Sequence, residues 1–269
     1  MTPPLAEKIF EINSDREFNE TCLKVFRFQS RENAVYRQYI EHLGVNTADV
    51  HRMEDIPFLP IELFKTHKIL SGKSGEKEIV FSSSGTTGIS TSNHYVSLPE
   101  VYERSFLNAF AKFYGSPSQF RILALLPSYL ERTGSSLIYM ADHLIKDSNH
   151  PDSGFFLDDF ARLREILSTE SDQKTLLIGV SFALLDFIEE KSIKLKNTIV
   201  METGGMKGRR KELTREDLHS KLRRGFGVDS IHSEYGMTEL LSQAYSSGSG
   251  IFRSPPWMKV LVRDTNDPL

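Results

Sequence analysis

A change of texture near residue 78 restricts the fold more than any other feature of this sequence. From Glu78 onward, short apolar runs alternate with amphipathic stretches. "EIVFSS", "FRILALLP", "KTLLIGV", "NTIVMETGG", "SIHSEYG" and "WMKVLVRD" read as strands. "PEVYERSFLNAFAKFY", "SSLIYMADHLI", "DDFARLREILS", "FALLDFIEE" and "TREDLHSKLRRGFG" read as helices, the last opening on a Thr214 to Asp217 capping pattern. Such alternation predicts an α/β fold, a sheet with helices on its faces. Ligands in these sheets sit outside the carboxyl ends of the strands.

Before residue 78 the chain is helical and polar. "DREFNETCLKVFRFQS" spaces Phe18, Cys22, Val25 and Phe26 as one helix stripe, and "NAVYRQYIEHLG" repeats the pattern and stops at Gly44. "DIPFLPIELFK" alternates proline with large apolar residues and reads as an extended segment against a core. The expected organisation is an N-terminal helical segment, 1–77, packed on an α/β core, 78–269.

Charge and composition narrow the partners. A net charge of -3, from 33 basic and 36 acidic residues, gives no field to hold nucleic acid or an acidic membrane surface, so a small molecule is the expected ligand. No apolar run reaches about 18 residues and "MTPPLAEKIFEINS" lacks the pattern of a signal segment, so a cytoplasmic protein without a membrane span is expected. The single cysteine, Cys22, rules out an internal disulfide and a cysteine-rich zinc site. The eight histidines lack metal spacing; His94 and His143 lie on segments able to approach a substrate.

Three strands finish in chemically unusual text. The first runs into a loop of hydroxyls and glycine, Ser82-Ser83-Ser84-Gly85-Thr86-Thr87-Gly88. The fourth ends in "METGGMKG" with Gly204 and Gly205, and the fifth in "HSEYGMTE" with Tyr235, Thr238 and Glu239. If these strands are neighbours, the three turns converge on one crevice. The hydroxyl loop offers N–H and O–H donors to an anion. Gly204 and Gly205 let backbone pass close to a flat ring, against which Tyr235 would lie. Thr238 would hydrogen-bond a phosphate oxygen, and Glu239 would hold Mg²⁺, a hard cation that prefers oxygen. Together they read as a nucleoside triphosphate site without a Walker lysine, since Ile89 follows Gly88.

In this order "SSSGTTG", the "GG" turn and "YGMTE" resemble the phosphate loop, adenine-side turn and metal-side motif of the acyl-adenylate-forming superfamily. "IPFLPIELFK", "TGGMKGRR", "EYGMTELLSQAYS" and "PPWMKVLVRD" resemble its acyl-protein synthetase (LuxE-type) branch, the fatty-acid-activating component of bacterial luminescence reductases. The resemblance runs from about Ile56 to the C-terminus. It implies the large N-terminal domain of the adenylate-forming fold, with the C-terminal lid domain absent, since the text ends at "VRDTNDPL" before the ribose-binding aspartate and the lid. It also implies ATP and Mg²⁺ as cofactors. Ser83, Ser84, Gly85, Thr86, Thr87 and Gly88 would embrace the phosphates; Gly204, Gly205, Tyr235 and Gly236 would flank adenine. Thr238 would meet the α-phosphate and Glu239 the Mg²⁺. The implied reaction activates a carboxylic acid, in this branch a fatty acid, to acyl-AMP and passes the acyl group to a thiol. That thiol belongs to a protein cysteine or coenzyme A, and an acyl-reductase is an expected partner. No lysine follows the phosphate loop, unlike in many relatives, and Asp264 does not match the ribose motif.

Two other classes compete. "LLIGVSFALL" puts Ser181 in a Gly-x-Ser-x-Ala turn like an α/β-hydrolase nucleophile elbow, with Asp229 and His232 following in order. Those two lie too close together for the usual relay, and a helix-capping serine is the simpler reading. The other is a non-catalytic nucleotide-binding partner. The basic run Lys207, Arg209, Arg210, Lys211 reads as a solvated turn, with Lys207 within possible reach of a phosphate. Cys22, on the apolar stripe, reads as a small buried hydrophobe and not as the acyl carrier.

Overall fold

A computed structural model describes residues 3–72, 78–83, 91–127, 134–169, 171–206 and 210–262. The chain forms two compact units, residues 1–105 with 254–269, and residues 106–253. The texture change at residue 78 falls inside the first.

The first unit holds helices α1 (Pro3–Ile9), α2 (Asp15–Glu32), α3 (Ala34–His42) and α4 (Leu63–Thr66) and a hairpin of β1 (Ile79–Ser82) and β2 (Asn93–Val96). Ser14 opens α2 by accepting from the Glu17 N–H. After α3, the Gly44 N–H donates to the Glu41 carbonyl and the Val45 N–H to that of Ile40, the paired closure of a helix ending on glycine. The apolar stripes meet in a cluster of Leu23, Phe26, Tyr36, Ile40, Val50 and Ile56, with Cys22 partly buried against it. "IPFLP" lies outside any helix, as expected, after a 3-10 turn at Met53–Asp55, and the Tyr36 hydroxyl donates to the Pro57 carbonyl at 3.0 Å. The rest departs from the expectation: beyond Pro60, free of proline, Leu63–Thr66 closes one helical turn.

Two further expectations fail here. Among the described residues β1 pairs only with β2, antiparallel, with Ser82 opposite Asn93. The hydroxyl loop therefore begins in a two-stranded hairpin and not at the end of a strand of the parallel sheet. "WMKVLVRD" forms no strand over its described residues, 257–262. Trp257 packs edge-on to Phe10 at 5.2 Å and donates its indole N–H to Ser105, while Lys259 pairs with Asp15 at 2.5 Å. Val260 and Val262 are 75% and 98% exposed. An alternating pattern becomes a strand only with a hydrogen-bonding neighbour, and this stretch has none among the described residues.

Helix α5 (Pro99–Tyr114) crosses the division between residues 105 and 106, and the second unit follows. It is a six-stranded sheet in the order β4 (Gly154–Phe155), β3 (Phe120–Leu125), β5 (Lys174–Val180), β6 (Thr198–Thr203), β7 (His232–Tyr235), β8 (Ala244–Ser246). All neighbours are parallel except β8, which runs against β7. Every residue of β3, and of β5 after Lys174, is buried, the mark of a parallel sheet covered on both faces. The covering helices are α6 (Ser136–Ser148), α7 (Phe160–Ser168), α8 (Ser181–Glu190) and α9 (Arg215–Phe226). Thr214 caps α9 through the Asp217 N–H, as its sequence predicts. Among the described residues no helix is long and apolar enough to cross a membrane.

Candidate nucleotide-binding site

Parallel pairing of β6 with β7 sets Thr203 beside Glu234, so the next residues of both strands leave the same sheet edge together. Gly204 and Tyr235 thus open two turns from adjacent strands, the first running through Gly205 and the second through Gly236 to Thr238 and Glu239. Gly204 has φ +63°, a left-handed turn that glycine enters without penalty. Both glycines are exposed, as are Gly236 and the Tyr235 ring. Tyr235 leans edge-on to Phe252, ring centres 6.1 Å apart, and its hydroxyl donates to Met237 Sδ at 3.0 Å. An exposed ring thus borders backbone bare of side chains, which suits a flat heteroaromatic group. Thr238 and Glu239 follow half-buried, in a turn closed by the Leu240 N–H on the Met237 carbonyl.

Polar side chains support this edge from both sheet faces. On one, Thr203 donates to the buried Glu234 carboxylate at 2.5 Å. A Cβ on Gly236 would stand 2.7 Å from Glu234 Oε1, so glycine is what lets the turn close over that carboxylate. Burial pushes Glu234 up to about 7; the Thr203 hydrogen bond opposes this and the Glu202 charge adds to it. Two residues earlier, His232 Nδ1 pairs with the Tyr114 hydroxyl at 3.1 Å. Burial, then the Lys174 charge, lowers the His232 pKa, while burial and Glu234 raise that of Tyr114. On the other face, Ser181 donates to Glu202 Oε2 (3.3 Å) and to the Gly204 carbonyl (3.1 Å), fastening the start of α8 to the glycine turn. His219 Nε2 lies 3.5 Å from Glu202 Oε1 and 3.4 Å from Ser233 Oγ.

These contacts revise several sequence readings. Ser181 is the first helical residue, not the cap, which is Val180, and it holds no histidine. His232 is engaged with Tyr114, so among the described residues no hydrolase relay is assembled. Glu202 and Glu234 were overlooked as support, although a carboxylate inside an apolar strand is costly to bury and signals a purpose. His94 packs on Phe64, and His143 on Phe106 and Tyr139. Arg210 is no free basic residue: it pairs with Asp186 and Glu189 of α8. Ser83 belongs to the first unit, where its hydroxyl accepts from the Ser92 N–H at 2.9 Å. Ser84, Gly85, Thr86, Thr87, Gly88 and Lys207 lie outside the described residues.

Among the described residues no group of three or more His, Cys, Asp or Glu could hold a metal ion. That donor set fits Mg²⁺ in one form only, a single carboxylate such as Glu239 supplemented by a nucleotide's own phosphate oxygens and water.

The fold has a counterpart in solved structures. A 2-hydroxyisobutyryl-CoA ligase in the postadenylation state, in complex with 2-HIB-AMP, matches 85% of this chain and 50% of its own at a TM-score of 0.55 and 14% identity. The architecture is thus that of an adenylate-forming CoA ligase over half of that protein's length. Residues 6–267 match the family model of the acyl-protein synthetases, LuxE, and the chain belongs to that family. A stretch of 64 residues is 39% identical to the long-chain-fatty-acid–luciferin-component ligase of Vibrio harveyi, covering 24% of this chain and 17% of that ligase.

Proposed function

We propose that the protein activates a carboxylic acid with ATP, forming an acyl adenylate and pyrophosphate, and delivers the acyl group to a thiol. One observation carries this reading: in a chain of the LuxE family, the Gly204-Gly205 turn and the "YGMTE" turn leave adjacent parallel strands at one edge. The exposed Tyr235 ring and the bare backbone at Gly204, Gly205 and Gly236 would flank adenine. Thr238 would donate to an α-phosphate oxygen. The phosphate role of Ser83 through Gly88 rests on the sequence resemblance. Mg²⁺ held by Glu239 and the phosphates would neutralise charge as it shifts to the leaving pyrophosphate.

Adenylation itself needs no protein nucleophile, because a substrate carboxylate oxygen attacks the α-phosphorus and the bond to pyrophosphate breaks. Holding the reactants in line is the protein's contribution. The family points to a fatty acid as substrate, in the cytoplasm, and to a protein cysteine, coenzyme A or an acyl-reductase partner as source of the thiol. Cys22 is a poor candidate: burial, reinforced by Glu54, raises its thiol pKa and keeps it protonated. Carboxylate-dependent ATP–pyrophosphate exchange over a panel of acids tests the proposal. Exchange with long-chain acids is expected, and its absence with every acid would sink it.

A further inference from the structure

At the amino-terminal end of the parallel sheet, away from the Gly204 and Tyr235 turns, lies a cavity that the proposed chemistry leaves unused. Phe120 opens β3, Lys174 opens β5 and His232 opens β7, and all three line it. Phe113 and Tyr114, the last residues of α5, and Tyr245 of β8 complete its aromatic wall. Its volume is about 290 Å³. That is the small end of the ligand-pocket range of about 300–1,000 Å³ and suits a molecule of one or two rings.

The wall is a connected surface of rings. Phe113 stands 5.4 Å and Tyr114 5.3 Å from the Tyr245 ring centre, and Tyr114 lies 5.7 Å from that of His232. Ile251, 69% exposed, borders the same space, an apolar side chain that gains by being covered. Two exposed cations stand there too, Arg253 and Lys174, the latter the one charged residue of β5. No Asp or Glu is among the described lining residues, and among the described residues neither cation has an ion-pair partner. Burial first, and the Lys174 charge second, lower the His232 pKa, so the imidazole is neutral near pH 7 and adds no third cation. An aromatic box suits a cation when only ring faces and acids surround it; two cations and no acid reverse that preference. In the sheet, β6 and β7 separate β5 from β8, and Arg253 is bridged to β8 through Tyr245. The two cations therefore flank the rings and do not converge on a point. A compact oxyanion such as phosphate fits that spacing poorly, whereas a flat ring bearing an anionic group sets ring on ring and charge beside charge.

We infer that this cavity binds a small planar aromatic anion, a carboxylate or sulfonate of one or two rings. Its ring lies against Phe113, Tyr114 and Tyr245, covering Ile251, and its anionic group is drawn by Lys174 and Arg253. The site is separate from the proposed nucleotide turns and does not depend on that reading.

Calorimetric titration of the whole chain with naphthalene-2-sulfonate, 2-naphthol and methanesulfonate, each with and without saturating ATP, tests the inference. A sulfonate yields no acyl adenylate, so binding is read without turnover. Naphthalene-2-sulfonate is expected to bind saturably, at least about tenfold tighter than the neutral ring or the ringless anion, with unchanged affinity when ATP is present. Lys174→Glu with Arg253→Glu, both on the surface, should weaken that binding at least about tenfold without moving Tm. The His232 ring resonance should shift on binding through the ring current of the ligand, while those of His42 and His51, which do not line the cavity, stay put. This readout keeps the test decisive if the charge variant does not fold. Displacement by ATP, equal affinity for 2-naphthol, full binding in the charge variant, an unmoved His232 resonance, or no saturable binding below about 10 mM would each overturn it.

Discussion

Replacing Glu234 by glutamine should change how stability depends on pH. The carboxylate is fully buried, with a pKa raised from 4.5 to about 7. Thr203 of β6 donates to it, Tyr245 stands opposite on β8, Tyr114 of α5 and His232 of β7 lie on its flank, and Glu202 repels it. Both tyrosine and histidine stay neutral near pH 7, since the Tyr114 pKa is raised and that of His232 lowered. Among the described residues no cation therefore relieves the carboxylate. Below pH 4.5 Glu234 is protonated folded or unfolded and has no effect. Between about 4.5 and 7 the native state holds a proton that the unfolded chain has released, so native stability falls as pH rises. Above 7 the full penalty is present. Each pKa unit is worth ~1.4 kcal/mol, which makes that penalty ~3 kcal/mol. Glutamine keeps the shape and the acceptor for Thr203 but never ionises. Urea unfolding of wild type and Glu234→Gln at pH 5 and pH 8 should show little difference at the lower pH and a variant more stable by ~3 kcal/mol at the higher. Parallel pH dependences for the two proteins would refute the reasoning.

Three further outcomes are expected. Glu239→Gln should cut pyrophosphate exchange strongly and shift its Mg²⁺ requirement, while Thr238→Val should lose about 1.5–3 kcal/mol of transition-state binding as one hydrogen bond to a charged group; both should remain folded, and wild-type exchange by Glu239→Gln at low Mg²⁺ would remove the metal assignment. Gly236→Ala drives a methyl to 2.7 Å from Glu234 Oε1, so a loss of about 1–3 kcal/mol in unfolding free energy and a raised KM for ATP are expected; neutral values in both assays would show that the turn yields freely. With labelled fatty acid and ATP, the chain should carry no hydroxylamine-labile label after denaturation; label that disappears in Cys22→Ser would make that half-buried thiol the acceptor after all.

What could be read in advance was local. Strand and helix text from Phe120 to Tyr235 was legible because side chains recur with the period of the element they build, and Thr214, Gly44 and the glycine turn were legible because few residues fit those backbone positions. The two-residue β4 and the β8 that follows the "YGMTE" turn went unread, being too short to show a period.

The sequence by itself determined the α/β class and placed unusual residues at strand ends, since both follow from the order of side chains along the chain. Only the tertiary structure decided which of those ends share an edge. "EIVFSS" and "NTIVMETGG" look alike as strands, yet β1 closes a hairpin with β2 while β6 lies between β5 and β7. "WMKVLVRD" has the alternation and no ladder. Pairing is a hydrogen-bond contract with residues distant in the chain, and no local pattern names the partner. For the same reason the duties of Glu202 and Glu234 were invisible in text: each depends on what buries it and on which neighbour meets its charge.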